Sequence, residues 1–224
     1  MDAAVTSYDI LIPTIPHRHD QLCTLLAEID RQWQPGLGVR ILRDNLERPG
    51  IFSYAKWQDL LETSVADYVS WAGDDDMIAP GYVARVMAAL EDGPDYVGFP
   101  VRFTLDGQPQ QPVEHSLRHG CWDDWHGGIM VRDIVHTNPI RRELALLTSW
   151  GIDNPAEDLY WAARLRVTGR VKDEIWLNEP MYFYQASAAS GFWAVRGPLP
   201  DSLIRKLPVY PWLTTMDVCT GLQA

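Results

Sequence analysis

Three consecutive aspartates, Asp74, Asp75 and Asp76, follow the apolar run Tyr68 to Ala72 (YVSWA) after a single glycine, Gly73. Like charges this close cannot all stay ionised cheaply, so the segment calls for a cation or a shared proton. Hard oxygen donors in this number suit Mg2+ or Mn2+, which take one or two carboxylates and complete their shell with phosphate oxygens and water. The plainer alternative is a solvated turn capping the next helix, a task for which one acid suffices. A second acidic pair, Glu157-Asp158, stands just after Pro155, where a helix dipole alone would favour it. Tryptophan and acid also alternate in Cys121 to Gly128 (CWDDWHGG).

The elements that would position these groups follow from periodicity. Tyr8 to Pro13 (YDILIP) reads as a buried strand, and Leu22, Leu25, Leu26, Ile29 and Trp33 fall on one face of a helix stopped by Pro35-Gly36. Val39 to Arg43 is a second strand, Ser53 opens a helix burying Tyr54, Trp57, Leu61 and Val65, and Tyr68 to Ala72 is a third strand. Pro80 begins a helix carrying Val83, Val86, Met87 and Leu90. Alternating strands and helices predict an α/β, Rossmann-like fold with a mainly parallel sheet flanked by helices. The triplet then lies at the carboxyl end of a strand, where open sheets bind ligands.

Later segments change character. Asp95 to Leu105 reads as strand, Asp106-Gly107 as turn, 108–112 as loop, Gly127 to Val135 as strand and Pro139 to Leu147 as helix. Asn154-Pro155 opens a helix ending before Gly169, and a proline-rich tail without long regular structure begins at Gly197. One domain, 1–224, is expected: a nucleotide-binding half (1–94), a mixed or antiparallel acceptor half (95–196) and the tail (197–224).

Composition narrows the partners. Thirty acids against 19 cations give a formal charge of −11, which repels phosphate backbones and argues against nucleic acid and anionic membranes. The three cysteines, Cys23, Cys121 and Cys219, are scattered and in no CxxC spacing, so they suggest neither a disulfide framework nor a zinc site, and a reducing cytoplasm is expected. The N-terminus lacks the pattern of a signal peptide, and no apolar run nears the ~18 residues of a membrane span. Two aspartate chemistries are excluded: Ile78 and Ala79 occupy positions where a calcium loop starting at Asp74 needs oxygen and glycine. Pro13-Thr14-Ile15-Pro16 also lacks the nucleophilic acid of a haloacid-dehalogenase-like phosphatase.

Four ordered pieces carry a family resemblance: ILIPTIPHR after the first strand, YAKWQ before YVSWAGDDDMIAPGY, then HTNPIRREL, then AEDLYWAARL. Together, over roughly residues 8 to 185, the chain resembles the GT-A fold nucleotide-sugar glycosyltransferases, especially the inverting, family 2-like branch. The resemblance implies a nucleotide-sugar donor, a glycan, small-molecule or protein hydroxyl as acceptor, and Mn2+ or Mg2+ as cofactor. Pro13 and Thr14 would hold the nucleoside, with Arg18 near phosphate. Asp44 matches the acid that meets the base imide, which implies a uracil nucleotide, and Lys56 a cation facing base or diphosphate; the other reading of Lys56 is an exposed helix lysine. Asp74 and Asp76 form the DxD, one end toward the ribose and the other on the metal, while Gly73 leaves a frame in which Asp75 is the ligand. Asp158, then Glu157, matches the base that takes the acceptor's proton in an inverting transfer.

The pattern also departs from the family. Gln185 in PMYFYQA stands where relatives place a metal-binding histidine, which leaves His136 as the candidate third ligand; its other reading is a structural histidine. His17 and His19 read as loop surface near the nucleotide. Trp122 and Trp125 could each offer a flat face to a pyranose, or be core residues flanking a turn. Two other functions compete: a GT-A-like nucleotidyltransferase, although IPTIPHRHD lacks the Gly-rich, Lys-bearing loop, and a non-catalytic carbohydrate or nucleotide-sugar binder.

Overall fold

Residues Tyr8–Thr14 form β1, buried along nearly its whole length because it lies inside the sheet with helices over both faces. The computed structural model describes residues 6–43, 53–150, 157–187 and 213–217. After β1 come α1 (His19–Gln32), β2 (Leu37–Arg43), α2 (Ser53–Thr63), β3 (Tyr68–Trp71), β4 (Met77–Ile78) and α3 (Tyr82–Glu91). The second half contains β5 (Tyr96–Leu105), β6 (Gln108–Pro109), β7 (Val113–His115), β8 (Trp122–His126), β9 (Ile129–Arg132), β10 (Ile140–Arg141), α4 (Arg142–Ala145), α5 (Glu157–Val167), β11 (Glu174–Trp176) and β12 (Tyr182–Ala186). A last strand, β13 (Leu213–Asp217), lies in the tail.

The sheet runs β13-β2-β1-β3-β10-β5-β7-β9-β8. Its first four strands are parallel, with β1 between β2 and β3. The chain leaves β1 for β2 on one side and returns to β3 on the other, so the direction of winding reverses beside the ends of β1 and β3. Beyond β3 the sheet is mixed: β10 is antiparallel to both β3 and β5, while β11 and β12 run parallel to β5.

Alternation along β1 divides the core. Ile10 and Ile12 join a cluster with Leu22, Leu25, Leu26 and Ile29 of α1 and Val83 and Val86 of α3. Leu11 joins the opposite cluster with Leu60 and Leu61 of α2, Trp161 and Leu165 of α5, and Trp71. There Trp150 and Trp161 stack with centroids 4.8 Å apart, and Trp71 meets them edge-on at 5.2 and 5.6 Å.

Several boundaries differ from the sequence reading. Trp33 follows the end of α1 with extended ψ and is 43% exposed, and Val65 lies beyond the end of α2 and is 83% exposed. The side chain of Tyr54 lies outside the described residues. Gly81, at φ 79°, lets α3 begin at Tyr82 rather than at Pro80. Instead of one helix over 139–147, Ile140–Arg141 fills the gap between β3 and β5 as a strand, and only Arg142–Ala145 is helical. Part of the expected 108–112 loop is β6, paired with β5. The expected strand over 127–135 is shorter, and Gly127 and Gly128, both with positive φ, make a two-residue turn between β8 and β9. The tail contributes β13, which the proline content had hidden.

Candidate active site

The three aspartates occupy the loop after β3, beside the end of β1, at the place where the winding reverses. Asp74 is almost fully buried and is held by the β1 end: Thr14 Oγ1 donates to it at 2.7 Å and the Ile15 amide at 3.2 Å. Arg18, in the turn before α1, reaches Asp74 at 2.9 Å with one nitrogen and Asp75 at 3.1 Å with the other. Burial opposes the Arg18 charge, yet Asp74 and Asp75 outweigh it and leave the guanidinium more basic than usual. Arg18 therefore braces the acids.

Asp76 is held by β12. Tyr182 donates its hydroxyl to Asp76 at 2.7 Å and accepts the Gly73 amide at 2.9 Å, and the Gln185 amide donates to the other Asp76 oxygen at 2.8 Å. Burial pushes the Asp76 carboxyl up to about 7; those two donors lower it, while Asp75 and Asp74 add to the rise. Asp75 is more open and is also raised, first by burial, with Arg18 opposing. A Cβ at Gly73 would lie 2.6 Å from Asp76 Oδ2, so the glycine is what lets Asp76 sit where Tyr182 holds it. Strand β12, rather than an imidazole, closes this side, with Gln185 contributing its backbone.

The second acidic pair stands at the start of α5. Glu157 is buried and Asp158 half-buried in the first turn of α5, with Asp158 accepting from the Leu159 amide at 2.8 Å. The Tyr184 hydroxyl is pushed up by burial and then by the charges of Asp76, Asp75 and Asp158, with Arg132 opposing. That single phenol thus senses the aspartate loop, the α5 terminus and Arg132 together. Tyr182, whose hydroxyl holds Asp76, is the partner of the aspartate loop that sequence reasoning missed, with Tyr184 two positions on along the same strand. The available signal was the alternation in PMYFYQA, which puts Tyr182 and Tyr184 on one strand face.

Other expected residues are placed less uniformly. Pro13 is half-buried at the end of β1, and Lys56 of α2 is 7% exposed, which removes the reading of an exposed helix lysine. Asp44 lies outside the described residues. His136 is not brought to the triplet: its ring stacks on Trp57 at 4.5 Å and abuts Trp150 and Trp71. Burial depresses it to about 4, with Asp158 the acid acting in the opposite direction. His17 is exposed, and His19 lies 3.4 Å from Cys23 Sγ. Trp122 is built into the fold, its indole N–H donating to Ile134 at 3.0 Å and one face covered by Arg132, whereas Trp125 is 54% exposed.

The donor set around the triplet can be tested against a metal. Asp74, Asp75 and Asp76 do not bring three oxygens within 4.8 Å of one another; among the described residues only Cys121, Asp124 and His126 form so tight a group. The aspartates therefore make no all-protein cage. They fit an ion held by one or two carboxylates and completed by ligand oxygens, the usual habit of Mg2+ and Mn2+. A carboxyl such as Asp76, whose ionisation burial penalises, is also one that a divalent cation stabilises.

No family model matches the sequence, and neither does any curated protein. Solved structures do match. Residues 1–349 of S. aureus TarS align over 80% of this chain and 60% of that one with a TM-score of 0.63 and 13% identity. The same protein in complex with UDP-GlcNAc gives 0.61 at 13% identity, over 80% of this chain and 58% of that one. The mannosyltransferase PcManGT from Pyrobaculum calidifontis, in complex with GDP-Man and Mn2+, gives 0.52 at 15% identity, over 81% and 59%. The chain thus spans about 60% of the length of these structures. Its fold is that of the GT-A-like glycosyltransferases.

Proposed function

We propose that this chain is a metal-dependent, inverting glycosyltransferase that moves a sugar from a nucleotide diphosphate donor, UDP-linked, to a hydroxyl of a glycan, small molecule or protein. The observation that carries the reading is the buried Asp76, fixed by Tyr182 and the Gln185 amide beside Asp74 at the winding reversal of a GT-A-like sheet. The TarS and PcManGT structures hold UDP-GlcNAc and GDP-Man on the same kind of fold, which supports a nucleotide-sugar donor here.

The residues take these parts. Pro13 and Thr14 hold the nucleoside at the end of β1, and Asp44 and Lys56 meet base and diphosphate. Asp74, tied to Thr14, faces the ribose, and Asp76, with Asp75 the other choice, ligates Mn2+ or Mg2+. The cation supplies positive charge for the departing diphosphate. Arg18, already between Asp74 and Asp75, lies close enough to turn toward that diphosphate. Asp158 accepts the acceptor's proton as its oxygen attacks the anomeric carbon opposite the leaving nucleotide. Supporting Asp158 over Glu157 is exposure: Asp158 is half-buried and accessible, while Glu157 is buried. Trp125 offers the exposed ring for an acceptor sugar, and Trp122 supports its strand.

The test is hydrolysis of UDP-sugars by the purified protein. Turnover should require Mn2+ or Mg2+, stop in EDTA and fall at least about a hundredfold in Asp76→Asn, on the scale of losing one transition-state charge contact. Full activity in EDTA would remove the metal from the reading. Asp158→Asn should abolish transfer to an acceptor while leaving UDP binding intact.

A further inference from the structure

The hairpin β8–β9 carries a group of donors that the glycosyl-transfer reading does not use. Residue 123 is an extra residue in β8: Trp122 pairs with Arg132 and Asp124 with Val131, a bulge. Because side chains alternate across a strand, the bulge moves Asp124 and His126 onto the face opposite Trp122 and Trp125. Cys121, immediately before the strand, then shares a space with them, and Cys121, Asp124 and His126 each offer a ligand atom within 4.8 Å of the others. His126 Nε2 is 3.3 Å from Asp124 Oδ2.

A fourth donor stands next to this group. His119 meets His126 edge-to-face with centroids 6.0 Å apart, and its side chain is 10% exposed. Its Nε2 is sealed from solvent and lies 3.2 Å from Glu114 Oε2 without the alignment of a hydrogen bond. A carboxylate behind the ring is the outer partner that metal-ligating imidazoles usually have. The loop is also braced: Arg166 of α5 bonds both Gly120 O and Asp133, and the Asp133 amide donates to Cys121 O at 2.8 Å.

We propose that Cys121, Asp124 and His126, with His119 as fourth ligand, form a zinc site at the base of the β8–β9 hairpin, separate from the aspartate loop. Thiolate, imidazole and one carboxylate are the donor mixture of Zn2+, whereas Mg2+ and Mn2+ favour oxygen. A tetrahedral ion with bonds of about 2.0–2.3 Å spaces its donors about 3.3–3.8 Å apart, so side-chain rotation of exposed Asp124 and His126 closes the group without moving the strand. The ion would fix the strand that carries Trp125. Scattered cysteines gave no sign of this in the sequence, because one cysteine is enough when a hairpin brings the other ligands to it.

The experiment uses the full chain stripped of metal by chelator and titrated with Zn2+ by calorimetry and with Co2+ by absorption. Wild type should bind one tight equivalent of zinc, raise its Tm, and give a thiolate-to-cobalt charge-transfer band. Cys121→Ser should lose that band, and Cys121→Ser and His126→Ala should each weaken zinc binding by more than about a hundredfold, beyond the ~10–100-fold that outer partners typically cost. The double variant Asp74→Asn/Asp76→Asn should keep both signals, which separates this site from the donor metal. Circular dichroism of each apo variant confirms folding. Zinc binding unchanged in Cys121→Ser and His126→Ala, or cobalt uptake with no thiolate band, would overturn the site; unchanged affinity in His119→Gln would strike the fourth ligand.

Discussion

Tyr182 uses one oxygen to satisfy two groups, the Gly73 amide and the Asp76 carboxylate. Tyr182→Phe keeps the ring and leaves both without that partner, so it should cost about 1–3 kcal/mol, the penalty for stranding buried polar groups. Urea unfolding measures it; a loss under about 0.5 kcal/mol would mean water replaces the hydroxyl. The aspartates were legible from residue type alone, since three adjacent acids after a buried strand leave few explanations. Tyr182 was not, because its bond to Asp76 spans 106 positions of sequence and depends on β12 lying against β4. His115 was equally hidden. Its Nδ1 lies 2.7 Å from Asn138 Oδ1, and Asn138 in turn donates to Val97 O. Burial depresses His115 to about 3, with Arg132, His136 and His119 adding to the fall and Asn138 opposing it. The folded pKa lies below the unfolded value of about 6.5, so the unfolded chain takes up the proton first. The stabilisation is complete above that value and is lost as pH falls toward 3, by about 2 kcal/mol between pH 7 and 5. The His115 ring-proton NMR shift should stay that of neutral imidazole throughout this interval; titration near 6.5 would show that the ring is not held.

At the scale of elements, β5 carries the structure from the parallel half to the mixed half, and Gly98 is where other groups crowd it. A Cβ there would meet Glu174 Oε1 at 2.0 Å and the His115 carbonyl at 2.8 Å. The carboxylate could swing away, but Ser116 Oγ and the Leu117 amide hold it, and the carbonyl belongs to the paired strand β7. Gly98→Ala should therefore destabilise by about 1–3 kcal/mol, the usual cost of overpacking, seen as a lower urea midpoint with an unchanged m-value. The parallel half was readable because each helix carried an apolar face of period 3.6 and each strand a buried run. Local pattern failed where a partner strand decides the structure. Ile140-Arg141 is a strand only because β3 and β5 leave room between them, and β13 exists because β2 offers an edge. The sequence reading places Gly127-Gly128 inside a strand, whereas the pair is the turn between β8 and β9, and the strand before it, rich in Asp and Trp, reads as loop until its partner is known.

Over the whole molecule, the charge of −11 and the proposed diphosphate ligand pull against each other. Arg18 cancels one of the charges on Asp74 and Asp75, while neutral hydroxyl and amide donors redistribute charge without cancelling it, so the field of the remaining acids persists. A nucleotide diphosphate approaching the metal-free protein therefore meets repulsion, and a divalent cation meets attraction. Salt screens both, since the Debye length falls from about 30 Å at 0.01 M to about 10 Å at 0.1 M. The two affinities must then move in opposite directions: over this range UDP should bind more tightly in EDTA, while Mn2+ alone should bind more weakly to the apo protein. Calorimetric titrations at the two ionic strengths read both signs. If UDP instead weakens with salt in EDTA, a local cluster of cations such as Arg18 and Lys56 governs the diphosphate, and the acidic surface is electrostatically remote from the site. If the signs are as expected, the cation does more than complete a coordination shell: it reverses the local field, so that an acidic chain can hold an anionic donor only once the metal is in place.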